Sequence, residues 1–133
     1  MATGCVEVLV AASPDATWTV VGDFGSVKHW VPDIESFRLQ GDDRIFTMFG
    51  IEVRERFLSR DEEARSITYW VVSGGPIESH RASITVEPDG NGSKVTWVYS
   101  VTPDEMAPIL RDTYERALAS LHDTLGRPPG AGR

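Results

Sequence analysis

Apolar and polar residues alternate through Val6, Glu7, Val8 and Val10, and this period of two predicts a first strand over residues 5–11. Ser13-Pro14 interrupts it. A serine caps a helix well, and proline suits the first helical position, where its missing N–H has no partner to lose. A short helix is therefore expected from Pro14 through Trp18 to about Val21, with Gly22 free to take the left-handed conformation that ends it. Ser26 to Val31 allows a second short helix before Pro32 stops it.

From Glu35 onward the period is again two, and segments at residues 36–40, 44–48, 52–59, 66–72, 79–87 and 94–101 read as strands. Gly41-Asp42-Asp43, Phe49-Gly50, Gly74-Gly75-Pro76 and Asp89-Gly90-Asn91-Gly92 supply tight turns between them. No connection has room for a crossover helix, so the sheet should be antiparallel. Thr102-Pro103-Asp104-Glu105 then carries the signature of a helix start, with Thr102 as cap, Pro103 in the first turn and Glu105 as the acid of a capping box. In the helix that follows, Leu110, Tyr114, Ala117, Leu118, Leu121 and Leu125 share one face. Gly126 can close it, and residues 127–133 read as a loose tail after a single domain over 1–126. This order predicts an α+β protein whose curled antiparallel sheet wraps a long C-terminal helix. One helix cannot cover a strongly curved face, so a gap between helix and sheet is the natural ligand site.

Several pieces in this order carry a family resemblance. They are Ser13-Pro14, Gly22-Asp23-Phe24-Gly25, Trp30-Val31-Pro32, Val53-Arg54-Glu55-Arg56-Phe57, Ala82-Ser83-Ile84-Thr85-Val86 and Val95-Thr96-Trp97, together with Asp61, Tyr69 and the Pro76 loop. From Val6 to about Leu125 the chain resembles the helix-grip superfamily of START and birch-pollen-allergen-like proteins (SRPBCC), in its bacterial polyketide cyclase/dehydrase and lipid-transport branch. The resemblance implies the helix-grip fold, with about seven strands and two short helices after the first. It also implies a soluble container for a lipid, isoprenoid, sterol-like compound or polyketide. Some members of the superfamily cyclise polyketides, so it leaves activity open.

Strand alternation nominates the residues that would face such a cavity. Val53, Glu55 and Phe57 share a face; Ile67, Tyr69 and Val71 follow, then His80, Ala82, Ile84 and Val86, then Val95, Trp97, Tyr99 and Val101. Candidate ligand contacts are Glu55, Phe57, Tyr69, His80, Ile84, Trp97 and Tyr99 from the sheet. Tyr114 and Leu118 join them from the helix, and Trp30 is the candidate gate. Glu55 stands out, because a carboxylate on an apolar face must find a partner or take a proton. It is either a ligand or acid/base group, or one half of an ion pair with Arg44, Arg54, Arg56 or Arg81. His80 is either a proton-exchanging group at the pocket mouth or a partly exposed strand-end residue. Trp70 alternates to the other face, where it could mark a homodimer patch.

Charge and motifs narrow the chemistry. Lys+Arg 13 against Asp+Glu 20 in 133 residues gives −7, the wrong sign for neutralising nucleic-acid or membrane phosphates. The lone Cys5 forms no internal bridge, and with no leader-like start the chain reads as cytoplasmic, with no membrane insertion. Three scattered histidines and the absence of HxxxH, HExxH or CxxC spacing nominate no metal, and no cofactor is implied. No GxSxG elbow is present. The leading expectation is a carrier or sensor of one small apolar or amphipathic molecule. The alternatives are a cofactor-free aromatase/cyclase or dehydratase using Glu55, Tyr69 or His80, and an interaction dimer with a residual cavity.

Overall fold

Five successive hairpin connections between Ile34 and Thr102 build a meander, and the first strand closes on the last one. The computed structural model describes residues 1–126, so the expected tail at 127–133 lies outside the described residues. Strands β1 (Ala2–Val10), β2 (Ile34–Gln40), β3 (Asp43–Met48), β4 (Ile51–Asp61), β5 (Ser66–Gly74), β6 (Ser79–Asp89) and β7 (Gly92–Thr102) make one antiparallel sheet in the order β1-β7-β6-β5-β4-β3-β2. Helices α1 (Pro14–Val21) and α2 (Val27–Trp30) link β1 to β2, the strands at the two sheet edges, and α3 (Ala107–Leu125) follows β7. This is the expected α+β architecture.

Local sequence explains the sharp features. Ser13 Oγ accepts from the Ala16 N–H and caps α1. Phe49 and Gly50 both take positive φ, 52° and 75°, as a two-residue hairpin turn of the sheet's own twist requires. Register shifts between Arg54 and Glu55 and between Phe57 and Ser59 break the β4–β5 ladder. Such irregularities bend a strand and increase its twist, which helps the sheet to curl.

The inner face and α3 close on each other. Val95, Trp97, Tyr99, Ala82, Ile84 and Tyr69 are buried on the sheet side, and Tyr114, Ala117, Leu118 and Leu121 on the helix side. Gly4 in β1 faces Tyr99 in β7, and a Cβ at position 4 would lie 2.3 Å from the Tyr99 ring. Its missing side chain is what lets Tyr99 sit edge-on to Tyr114, 5.1 Å away at 70°.

Two expected helix ends differ. Gly22 has φ −76° and is right-handed; its use is close approach, since a Cβ there would meet the Trp18 indole at 2.8 Å. Thr102 does not cap a helix. Its backbone stays in the β6–β7 ladder opposite Ser79 and its carbonyl accepts from Glu78, so the expected capping box with Glu105 does not form. A cis Thr102–Pro103 bond and a 3₁₀ turn over Asp104–Met106 come first, and α3 starts at Ala107 with Pro108 in its first turn.

The outer face carries its own charge cluster. Asp43, nearly fully buried, accepts from Arg54 Nε at 2.5 Å and from Arg56 Nε and Nη2 at 2.7 and 3.0 Å, while the Arg56 guanidinium covers the Trp70 ring. Trp70 is thus half-covered by an arginine. The Arg56 and Arg54 hydrogen bonds pull the Asp43 carboxyl from 3.8 to about 2.

Two predictions follow from these contacts. A carboxyl whose pKa is lowered by folding stabilises above its unfolded value and loses that contribution as pH falls through the folded one. Urea unfolding should therefore show wild-type stability dropping between pH about 4 and about 2 more steeply than that of Asp43→Asn; parallel curves would contradict this. Gly4→Ala should lower stability by about 1–3 kcal/mol through overpacking against Tyr99, read from the shift in urea midpoint.

Candidate functional site

Parity along β3 places Arg44, Phe46 and Met48 on one face, and the β3–β4 register sets Arg44 directly opposite Glu55. Both side chains point to the interior, 5% and 9% exposed, and Arg44 Nε donates to Glu55 Oε1 at 2.8 Å. Arg44 Nη1 also donates to the Phe24 carbonyl at 3.0 Å. The guanidinium carbon lies 4.0 Å from the Phe24 ring centre and 4.6 Å from that of Tyr69, so two aromatic rings fix its position. Taking two ions out of water costs several kcal/mol each, and here the direct bond, the carbonyl and the ring faces offset that cost together.

Above this pair a cavity opens between the sheet and α3. Its void measures about 580 Å³ counted out to the open mouth, and the part where the centre of a water-sized sphere fits is about 90 Å³. The walls are Phe46, Met48, Val53 and Val71 of β3–β5, Val27 and Val31 around α2, and Leu110, Thr113 and Ala117 of α3. Ile34, Ile77, Tyr69, Trp97 and Tyr114 complete them, and Arg44 and Glu55 are the charged members.

The aromatic wall is held by hydrogen bonds as well as packing. Trp97 Nε1 donates to the Tyr69 hydroxyl at 3.1 Å, and Trp97 stacks on Tyr114 at 4.0 Å and 19°. The Tyr114 hydroxyl and His80 Nε2 are 2.7 Å apart, while His80 Nδ1 is buried with no partner among the described residues. Burial raises both tyrosines far above the ordinary phenol range, and the nearby Glu55 carboxylate adds to it, so both stay protonated donors. Burial also lowers the His80 pKa below 6.5.

Of the residues nominated from sequence, Glu55, Tyr69, Trp97 and Tyr114 meet at the cavity. Phe57 lies just beyond it, edge-on to Phe24 at 5.9 Å. Ile84, Tyr99 and Leu118 are in the closed core and do not line the cavity. His80 is neither at a mouth nor partly exposed: it is 5% exposed and sits behind Tyr114. Trp30 is not a gate, because its ring packs against Trp97 and its indole N–H donates to Ser26 Oγ, leaving 2% exposure. Its neighbours Val27 and Val31 line the opening. Arg44 was nominated only as a possible partner of Glu55. Its inward parity with Phe46 and Met48 is the signal that places it in the wall. Phe24, in the link between α1 and α2, carried no such signal.

Comparisons with known proteins agree with this fold. Over residues 1–126 the sequence matches the family described as polyketide cyclase / dehydrase and lipid transport. The fold is similar to protein XoxI from Bacillus cereus, at 24% identity and TM-score 0.87 over 94% of this chain and 96% of that one. A Thermobifida fusca protein known from a solution NMR structure is 28% identical, with TM-score 0.80 over 96% and 97% of the two chains. A START superfamily protein from Mycobacterium smegmatis is 17% identical, with TM-score 0.77 over 92% and 96%. No curated protein matches the sequence.

His80 gives this site a pH signature. Burial disfavours its protonated form in the fold, whereas the unfolded chain takes up a proton near the ordinary 6.5, so its contribution is complete above that value and is lost as pH falls below it. Between pH 7 and 5 the wild type should lose more unfolding free energy than His80→Gln. Imidazole nitrogen spectra followed from pH 7 to 5 should show His80 taking up its proton below 6.5, and protonation at or above that value would contradict the account.

Proposed function

The chain belongs to the polyketide cyclase/dehydrase and lipid transport family, and we propose that it is a binding protein for one small, mostly apolar molecule held between the sheet and α3. The observation that carries this reading is a cavity with apolar walls and a single buried ion pair, Arg44–Glu55, set among them. For stability alone such a pair is a weak choice, because apolar residues of similar volume often stabilise a core as well or better. The pair makes sense where a ligand presents a polar end to it.

Size limits the ligand. Pockets for drug-sized molecules run to roughly 300–1,000 Å³, and the space of about 90 Å³ open to a water-sized sphere here lies well below that range. A compact ring system or short chain suits it better than a long acyl chain. Binding is favoured over a cyclase or dehydratase because the Glu55 carboxylate is ion-paired with Arg44 and His80, bonded to Tyr114, does not line the cavity. Acid/base groups of such an enzyme must converge on one reacting point.

Native mass spectrometry of the purified protein, followed by solvent extraction, tests the proposal. We expect a retained small molecule or, after stripping, NMR shifts at Val71 and Ala117 on adding small apolar compounds. Thr113→Phe, which places a ring in the cavity wall, should abolish both while shifting the melting temperature by only a few degrees, about 1 kcal/mol or less. A protein that retains nothing and responds to no compound of this class would contradict the reading.

A further inference from the structure

Given that the chain is a binding protein, we infer that the polar end of its ligand is an uncharged group carrying a hydrogen-bond acceptor and donor side by side, as a carboxamide or lactam does. The inference rests on which atoms of the ion pair are already used. Arg44 gives Nε to Glu55 and Nη1 to the Phe24 carbonyl, and Nη2 has no partner among the described residues. Glu55 takes the Arg44 bond on Oε1, and its Oε2 has none. Neither free atom is sealed in: His80 Nδ1 alone, among the described residues, is a fully buried side-chain nitrogen or oxygen without a partner. Both residues line the cavity and are almost closed to the exterior, so the remaining access of Nη2 and Oε2 falls on the cavity side.

Orientation and charge then select the head group. Nε and Nη1 of the planar guanidinium are both bonded, and the Phe24 and Tyr69 rings flank its carbon at 4.0 and 4.6 Å, so the direction of the Nη2 hydrogens is set before a ligand arrives. Arg44 and Glu55 neutralise each other and are the charged residues in the wall. A carboxylate would approach an arginine already paired and be repelled by Glu55; an ammonium would meet the converse. Either would leave a net charge buried against apolar walls. A neutral acceptor–donor group can accept from Nη2 and donate to Oε2 while the pair stays intact.

Four probes of one ring size separate the possibilities: benzamide, benzoate, benzylammonium and toluene, titrated at neutral pH and followed by NMR. Benzamide should bind roughly tenfold or more tighter than either ion. In the variant Arg44→Met/Glu55→Leu that preference should vanish while toluene still binds. A second measurement needs no substitution: the carboxamide protons of bound benzamide should show NOEs to the Arg44 guanidinium protons. If an ion binds tightest, if the three polar probes bind alike, if the preference survives in the double variant, or if the carboxamide contacts only other wall residues, the inference fails and the binding-protein reading stands. If none of the four binds, toluene included, the binding-protein reading itself fails.

Discussion

The Arg44–Glu55 pair is the constraint around which the cavity end of the molecule is arranged. It fixes the β3–β4 register at the point where the sheet must curl, because the two residues face each other across that ladder. Through the Phe24 carbonyl and ring it also fastens the link between α1 and α2 to the sheet, and through Tyr69 it reaches β5. A hydrophobic residue in place of Arg44 could fill the same volume but could not tie these three elements by directed bonds. The ion pair exchanges desolvation energy for a fixed geometry, and the cavity inherits that geometry.

The second support is the aromatic group opposite. Trp97 bonds Tyr69 and stacks on Tyr114, Tyr114 bonds His80, and Tyr99 closes from the edge. Large rings linked by hydrogen bonds cannot slide together to fill a gap as aliphatic side chains do. This gives a physical reason for an unfilled volume inside a chain of only 133 residues. On the far face Asp43, next to Arg44 in sequence, is clamped by Arg54 and Arg56, so β3 is pinned by ions on both sides.

Much of this was legible in the chain. Seven strands, two short helices and the long last one follow from period-two segments, turn residues and a helical apolar face. Glu55 was conspicuous because a carboxylate breaks the apolar pattern of its strand face. Arg44 was legible only as a partner, since a cationic residue near a strand start ordinarily reads as solvated. Trp30 and His80 were misplaced for a shared reason. Alternation gives the face a residue occupies but not its depth, and depth depends on how far the sheet curls and where α3 crosses it. Thr102 misled because its cap-like sequence competes with a ladder position opposite Ser79, and the ladder wins. The wall residues Val27, Val31 and Ile77 come from α2 and from loops whose approach to the cavity is set by tertiary packing, which no periodicity records.

The most direct measurement is a double-mutant cycle on the ion pair, with unfolding free energies for wild type, Arg44→Met, Glu55→Leu and the two together. Each single change should cost about 3–5 kcal/mol by leaving a buried charge without its partner, and the double variant should recover most of that loss. Single changes costing well under about 1 kcal/mol, as at exposed pairs, or a double variant whose loss equals the sum of the two, would contradict the account.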